Sequence, residues 1–388
     1  MCPIFTDHQW WKQTWPSMLQ EGGYWVGHVG KWQYRNDQKF LKNAFNWSSF
    51  HEGEHWHTLR DKETREAIRR VHAADLAKED AIQFLRERPK DRPFAMTVAF
   101  YPPKPVGRST EPGAAWSPED SFYEMYRDHE FQEPYNFSEV FESLPYFLKT
   151  GIGRDRFSWR YSTHLHYQEG MKRYYALVSQ VDQAAQQIVD ELKEQGVYNR
   201  TLIIFTTDNG LMQGAHGLAG KWHPYEESIR TPLIIRDPRM PEDKRGSLDD
   251  SFTLNVDSAK TILGAAGIKP SDLMQGRNIA DLYLPSREKD HELPWRQDFF
   301  YEMPLAQFPE SAAVVSKEWK YVKWNATDYE QLFHLPSDPY ELKDLRNESR
   351  TQQILGLLRR RFVQVEEASI APEATDKPQC VRRLYDGT

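Results

Sequence analysis

One stretch, Thr201 to Pro232 (TLIIFTTDNGLMQGAHGLAGKWHPYEESIRTP), constrains the chain more than any other. It begins as an apolar, β-branched run, Leu202-Ile203-Ile204-Phe205, of the kind that forms a buried strand in a parallel sheet. The run stops at Asp208-Asn209-Gly210. A Gly-rich loop then carries His216 and Lys221, and a second apolar run follows at Leu233-Ile234-Ile235. An acid, an amide, an imidazole and an ammonium thus leave the carboxyl end of one strand together. In open α/β sheets ligands bind outside that end, which makes this segment the candidate active site.

The 388 residues suffice for a large α/β domain and a smaller one. A net charge of -7 and a pI near 6.0 give no general pull toward nucleic acid. Arg359-Arg360-Arg361 reads as the solvent face of a helix rather than a binding stripe. Mean hydropathy is -0.78, and no apolar run approaches the ~20 residues that span a bilayer. The first residues, MCPIFTDHQWWKQ, lack the basic and apolar regions of a signal peptide. Cys2 and Cys380 are too few for a disulfide framework. Sequons at Asn46, Asn136, Asn199, Asn325 and Asn347 permit a secretory route without establishing one.

In chain order, Thr14-Trp15-Pro16-Ser17 opens a short helix that Gly22-Gly23 end. Tyr24 to Val29 is a strand, and Lys31 leaves its carboxyl end, toward the same edge as Asp208. His51-Glu52-Gly53-Glu54-His55 matches the zinc-protease spacing, yet Gly53 and the lack of a helical period favour a solvated loop. Thr64 to Glu87 is expected to be helical, and Phe94 to Phe100 a buried strand followed by Tyr101-Pro102-Pro103-Lys104. Residues 106–168 form a long aromatic and acidic insertion, expected to cover the site. Met171, Tyr174, Val178, Val181, Ala185, Ile188 and Leu192 mark an amphipathic helix, and Val256 to Ala266 another. The fold class is therefore α/β, a mostly parallel sheet flanked by helices over residues 1–285. Residues 286–388 change character. A hairpin about Lys317-Glu318, a strand from Tyr329 and a helix from Thr351 to Glu367 make a small α+β antiparallel subdomain.

Taken together and in order, these segments resemble the sulfatase family of the alkaline-phosphatase-like superfamily. TWPSMLQEGGYWVGHVGKW (Thr14 to Trp32) is similar to the family's Pro-capped helix, "GY" and "GKWH". Phe100 to Pro103 stands where the family has "PPH", and Thr207 to Gly210 resembles "SDNG". Gly220-Lys221, Tyr225-Glu226 and Arg230-Thr231-Pro232 resemble "GKxxxYExxxRxP". Leu332 to Leu335 with Asp338-Pro339 and Glu341 resembles "LYDLxxDPxE". The resemblance implies a sulfuric ester hydrolase acting on a sulfated carbohydrate or similar small sulfate ester. Asp208 and Asn209 would be calcium ligands, and Lys31 and Lys221 catalytic contacts that neutralise sulfate. His216 would be a substrate contact or proton donor, with a structural loop histidine as the equal alternative. Glu226 and Arg230 would brace the loop. The resemblance also favours a secreted, periplasmic or lysosomal-like compartment.

The departures are as informative. The family nucleophile, a formylglycine made within C-x-P-S-R, has no counterpart, because Cys2-Pro3-Ile4 does not match it. The first strand, with its two Asp ligands, is also missing and is expected upstream of Met1 or lost. Gln33 replaces the His of "GKWH", and Lys104 replaces that of "PPH"; both remain candidate substrate-binding residues. Lysine is a poor acid unless burial or neighbouring positive charge lowers its pKa. The chain as written is expected to be impaired or inactive as a sulfatase. The alternatives are a non-catalytic binder of sulfated glycans and a phosphatase or phosphonate hydrolase of the same superfamily.

Overall fold

The computed structural model describes residues 11–32, 43–51, 53–61, 63–137, 140–285, 294–304, 308–325 and 327–369. Helix α1 (Trp15–Glu21) has Pro16 in its first turn, where a missing N–H costs nothing. Strand β1 (Trp25–Lys31) follows and is the centre of the main parallel sheet. Beside it, β2 (Trp47–His51) pairs in parallel from Gly27↔Trp47 to Lys31↔His51. Then β3 (Trp56–Arg60) and β4 (Ala67–His72) form an antiparallel hairpin.

Helix α2 therefore spans only Ala73–Glu87, and the helix expected from Thr64 is half wrong. The apparent stripe from Ile68 to Val71 belongs to β4, where Ile68 is exposed and Val71 buried. Asp61 Oδ1 accepts from the backbone N–H groups of Glu63 and Thr64, which closes the hairpin turn. The helix starts only where the His72 ring accepts from the N–H of Ala74.

Strand β5 (Phe94–Ala99) completes the order β2-β1-β5, parallel to β1 from Trp25↔Phe94 to Gly30↔Ala99. The insertion is not structureless. It contains α3 (Asp120–Glu124), α4 (Tyr146–Lys149) and α5 (Ile152–Arg160). Helix α6 (His164–Glu194) starts well before Met171, with Thr163 as its cap. It packs beside α2, and Arg86 clamps Glu191 at 2.7 Å. Trp116, Phe157, Tyr161 and Tyr167 bury the insertion's aromatic rings against Met171 and Leu177 of α6.

Strand β6 (Ile203–Thr206), helix α7 (Glu226–Ile229) and strand β7 (Leu233–Arg236) carry the opening motif. β6 was expected to be a buried parallel strand. It pairs antiparallel with β7, from Ile203↔Arg236 to Thr206↔Leu233, and Phe205 is 38% exposed. Among the described residues neither β6 nor β7 pairs with β5. Helix α8 (Asp257–Ala265) packs against α1.

The C-terminal sheet is antiparallel, built from β8 (Asp298–Met303), β9 (Ser311–Ser316), β10 (Trp319–Trp324) and β11 (Tyr329–His334). Its order is β11-β10-β9-β8, with α9 (Gln352–Ser369) across one face. The opposite face, through Ala313, Val315, Val322, Trp324 and Phe333, packs on Met212, Leu218 and Tyr225 of the loop that follows β6. The C-terminal sheet thus supports the candidate site from below.

Candidate active site at the carboxyl edge of the strands

The backbone places the site with little freedom. After β6 the chain passes Thr207, Asp208 and Asn209, then presses Gly210 against α7. A Cβ at Gly210 would lie 2.1 Å from the Glu227 carbonyl oxygen, so only glycine fits this approach. The Gly210 N–H donates to Ser228 O at 2.9 Å, and Asn255 Nδ2 donates to the carbonyls of Thr207 and Asp208 at 3.2 and 3.0 Å. The loop returns where Met212 N–H meets Gly220 O at 2.8 Å, and this brings Lys221 back over the strand end. Lys221 Nζ donates to Asn209 Oδ1 and lies 3.6 Å from Asp208 Oδ2.

Two neighbouring strands add to this. Near the end of β1, Gly30 has a φ of +95° and a Cβ there would lie 2.2 Å from Ala99 O, which again demands glycine. Lys31 follows, its carbonyl accepting from His28 Nε2 at 3.3 Å. β5 runs into Tyr101-Pro102-Pro103-Lys104, where the Lys104 ammonium sits 5.2 Å from the centre of the Tyr101 ring. The Lys104 carbonyl is held by His55 Nε2 at 2.9 Å.

Lys104 is pushed below the usual lysine range, first by burial and then by the positive charges of Lys31, Lys221 and Arg156; Asp208 pulls the other way. These charges therefore face one another. Lys31, Lys104, Asp208, Asn209, Lys221 and Arg156 all line one cavity of about 2140 Å³. Arg156, from α5, stacks its guanidinium 4.2 Å over Trp222, which in turn lies flat on Phe308 at 4.1 Å.

Other residues singled out from the sequence lie elsewhere. His216 is fully buried, with φ of 56°, stacked on Tyr225 at 4.1 Å and 3.7 Å from Glu227 Oε2. It does not line the cavity. With Glu227 and Glu341 it forms a group whose ligand atoms lie within 4.8 Å of one another, but Lys320 already sits on Glu341 at 2.6 Å. Gln33 lies outside the described residues. Glu226 bonds less to the exposed Arg230, at 3.8 Å, than to the buried Lys320, at 2.7 Å.

The zinc-like His pair is divided. His51 ends β2 and donates to Asp80 at 2.7 Å, while His55 is buried between Lys104 O and the N–H of Ser117. His55 is thus not in the solvated loop expected of it, because its ring bridges β3 to the turns after β5. Sequence reasoning missed Arg156, which sits in the unpatterned insertion and carries no local signal.

Calcium would want six to eight oxygen ligands. Asp208 and Asn209 are oxygen donors of the right kind, but the Asn209 oxygen already accepts from Lys221. Among the described residues the rest of this cluster is cationic, so these donors fit calcium in kind and not in number.

The ends of β1, β5 and β6 thus bring lysines, an acid and an amide to one cavity. The chain belongs to the sulfatase family. The family model described as Sulfatase matches residues 6–268, and that described as N-sulphoglucosamine sulphohydrolase, C-terminal, matches residues 214–368. The chain is 24% identical to the N-acetylglucosamine-6-O-sulfatase of Bacteroides thetaiotaomicron, over 86% of this chain and 68% of that protein. It is 25% identical to an arylsulfatase of Clostridium perfringens, over 75% of this chain and 57% of the relative. Among solved structures, that of BT4656 in complex with its substrate D-glucosamine-2-N,6-O-disulfate has a TM-score of 0.74 at 20% identity, over 94% of this chain and 84% of that one. No helix among the described residues is long and apolar enough to cross a membrane.

Proposed function

We propose that this chain handles sulfate esters of carbohydrates, as a member of the sulfuric ester hydrolases, through a cationic clamp formed by Lys31, Lys104, Lys221 and Arg156. The observation that carries this reading is the convergence of those four cations with Asp208 and Asn209 at one strand edge. A sulfate oxygen set by Lys31 and Lys221 would have its growing charge neutralised as the S–O bond breaks. Lys104 suits the remaining task. Burial and like charges weaken its hold on its proton, so it can hand that proton to the leaving oxygen more readily than an ordinary lysine. Trp159 lines the cavity wall, with Arg108 4.2 Å over its ring, and can add an aromatic contact to a sugar. Residues 1–285 would form the sulfate-handling domain, and residues 286–388 the subdomain that props its loop.

The described residues of the cluster include no cysteine or serine to act as nucleophile, and the 388-residue chain alone is expected to bind rather than turn over its ester. The second reading, a non-catalytic binder of sulfated glycan, gains from the absence of any histidine among the described residues that line the cavity. A turnover assay with 4-nitrophenyl sulfate, with and without added calcium, tests whether the clamp also does chemistry. Release of nitrophenol at the buffer rate fits a clamp without chemistry. Release above that rate, lost in Lys104→Ala, makes the chain a working hydrolase.

A further inference from the structure

A second polar cluster lies outside the cavity, where the loop after β6 meets the C-terminal subdomain. There His216, Glu227 and Glu341 bring one nitrogen and two carboxylate oxygens within 4.8 Å of one another. His216 and Glu341 are fully buried. Among the described residues neither ring nitrogen of His216 has a hydrogen-bond partner, and Glu227 Oε2 has none. Their separation of 3.7 Å is too long for such a bond. Asn136, also fully buried, donates Nδ2 to Glu227 Oε1 at 2.9 Å and leaves its Oδ1 unpartnered. Buried polar atoms left without partners in a native fold point to an ion or solvent that satisfies them. His216 and Glu341 both hold left-handed backbone, with φ of 56° and 54°, which non-glycine residues rarely adopt. Strain of this kind gathers at ligand clamps, where the surroundings enforce it.

We propose that His216, Glu227 and Glu341 hold a divalent transition-metal ion of the zinc class, with Asn136 Oδ1 or a solvent oxygen as fourth ligand. Charge supports it. Glu226, Glu227 and Glu341 set three carboxylates around one buried ammonium, Lys320, while Arg230 beside Glu226 is largely exposed. A divalent cation offsets the excess. Lys320 takes one lone pair of Glu341 Oε1 and the Glu226 N–H one of Oε2, so that carboxylate keeps capacity for a further bond. An imidazole nitrogen beside two carboxylates suits zinc, whereas calcium and magnesium take oxygen ligands. With bonds of about 2.0–2.1 Å, tetrahedral ligand atoms lie about 3.3 Å apart, close to the separation of His216 and Glu227. The three ligands come from the loop after β6, from α7 and from the turn beyond β11. The ion would therefore fasten the loop that bears Lys221 to the C-terminal subdomain. None of the three lines the cavity, and the proposal does not rest on the sulfate-ester reading.

The test uses the full chain, stripped with a chelator and titrated with cobalt(II) alone, which takes the place of zinc and reports its coordination by visible absorption. Saturable uptake of a single ion per chain is expected, with the intense bands of four-coordinate cobalt. Affinity should fall at least about tenfold in His216→Gln and in Glu227→Gln. Glu227→Gln keeps the side-chain volume and an oxygen for Asn136, so it remains informative if His216→Gln does not fold. Cobalt should also raise the melting temperature of the parent and leave that of Glu227→Gln unchanged. No saturable uptake, or uptake as tight in both variants as in the parent, would overturn the proposal. Uptake lost in Asp208→Asn would overturn it too, since the ion would then sit at the strand edge.

Discussion

Lys104 shows how one side chain takes its chemistry from its neighbours. Burial and three nearby cations weaken its hold on its proton, whereas Asp208 is the acid that steadies its charge. Removing Asp208 should therefore lower its pKa further. A titration of Lys104 by NMR in Asp208→Asn should move down relative to the parent, and an unchanged midpoint would separate the two groups. Buried histidines make a second prediction. Burial holds His28, His55, His72 and His223 neutral, each drawn from 6.5 down to about 4. Between those values the unfolded chain binds protons that the folded chain refuses. Stability is therefore intact above about pH 6.5, falls through the window and levels off below about pH 4. Thermal melts from pH 7.5 to 4.5 should show that fall. His223→Phe should flatten it, since both ring nitrogens of this buried residue lack partners. An equal slope in the variant would count against this origin.

At the scale of elements, two glycines fix the site. Gly210→Ala drives a methyl into the Glu227 carbonyl, and Gly30→Ala combines a positive φ with a clash on Ala99 O. Each is expected to cost about 2–4 kcal/mol in urea unfolding, where an ordinary exposed substitution costs within about 0.5 kcal/mol. The local signals that exposed these elements were uneven. The Asp208 to Lys221 motif was legible because its strand, its glycines and its charges all lie within one short stretch. Helix α6 was legible from its 3-4 spacing, although its start at His164 was not, because no apolar stripe marks its first turns. The β3-β4 hairpin was missed because a six-residue strand with one buried end mimics a helical stripe when read without its partner. Arg156 was invisible because only the folding of the insertion brings α5 over Trp222.

At the scale of the whole molecule, one buried ammonium ties the C-terminal sheet to the loop that bears Lys221. Lys320, in β10 and fully buried, bonds Glu226 at 2.7 Å, Glu341 at 2.6 Å and the Pro224 carbonyl at 3.0 Å. The Glu226 N–H donates to Glu341 Oε2 at 2.7 Å, so the loop bearing Lys221 hangs on this knot. Lys320→Met leaves two carboxylates without their cation and should destabilise by about 3–5 kcal/mol. Lys320→Met with Glu341→Gln should recover part of it; a single variant as stable as the parent would show that the knot carries no strain-free support for the loop. The long-range assembly was beyond sequence reading. Nothing in the run from Leu202 to Phe205 shows that it pairs antiparallel with β7, only that it suits a sheet.

The central claim is that this edge grips a sulfate ester through its cations. Isothermal titration of the full chain with glucosamine 6-sulfate, beside unsulfated glucosamine, tests it most directly. Saturable binding is expected for the sulfated sugar alone, weakened at least about tenfold in Lys221→Ala and in Lys104→Ala, and falling with salt. Equal binding of both sugars, or full affinity in both variants, would contradict it.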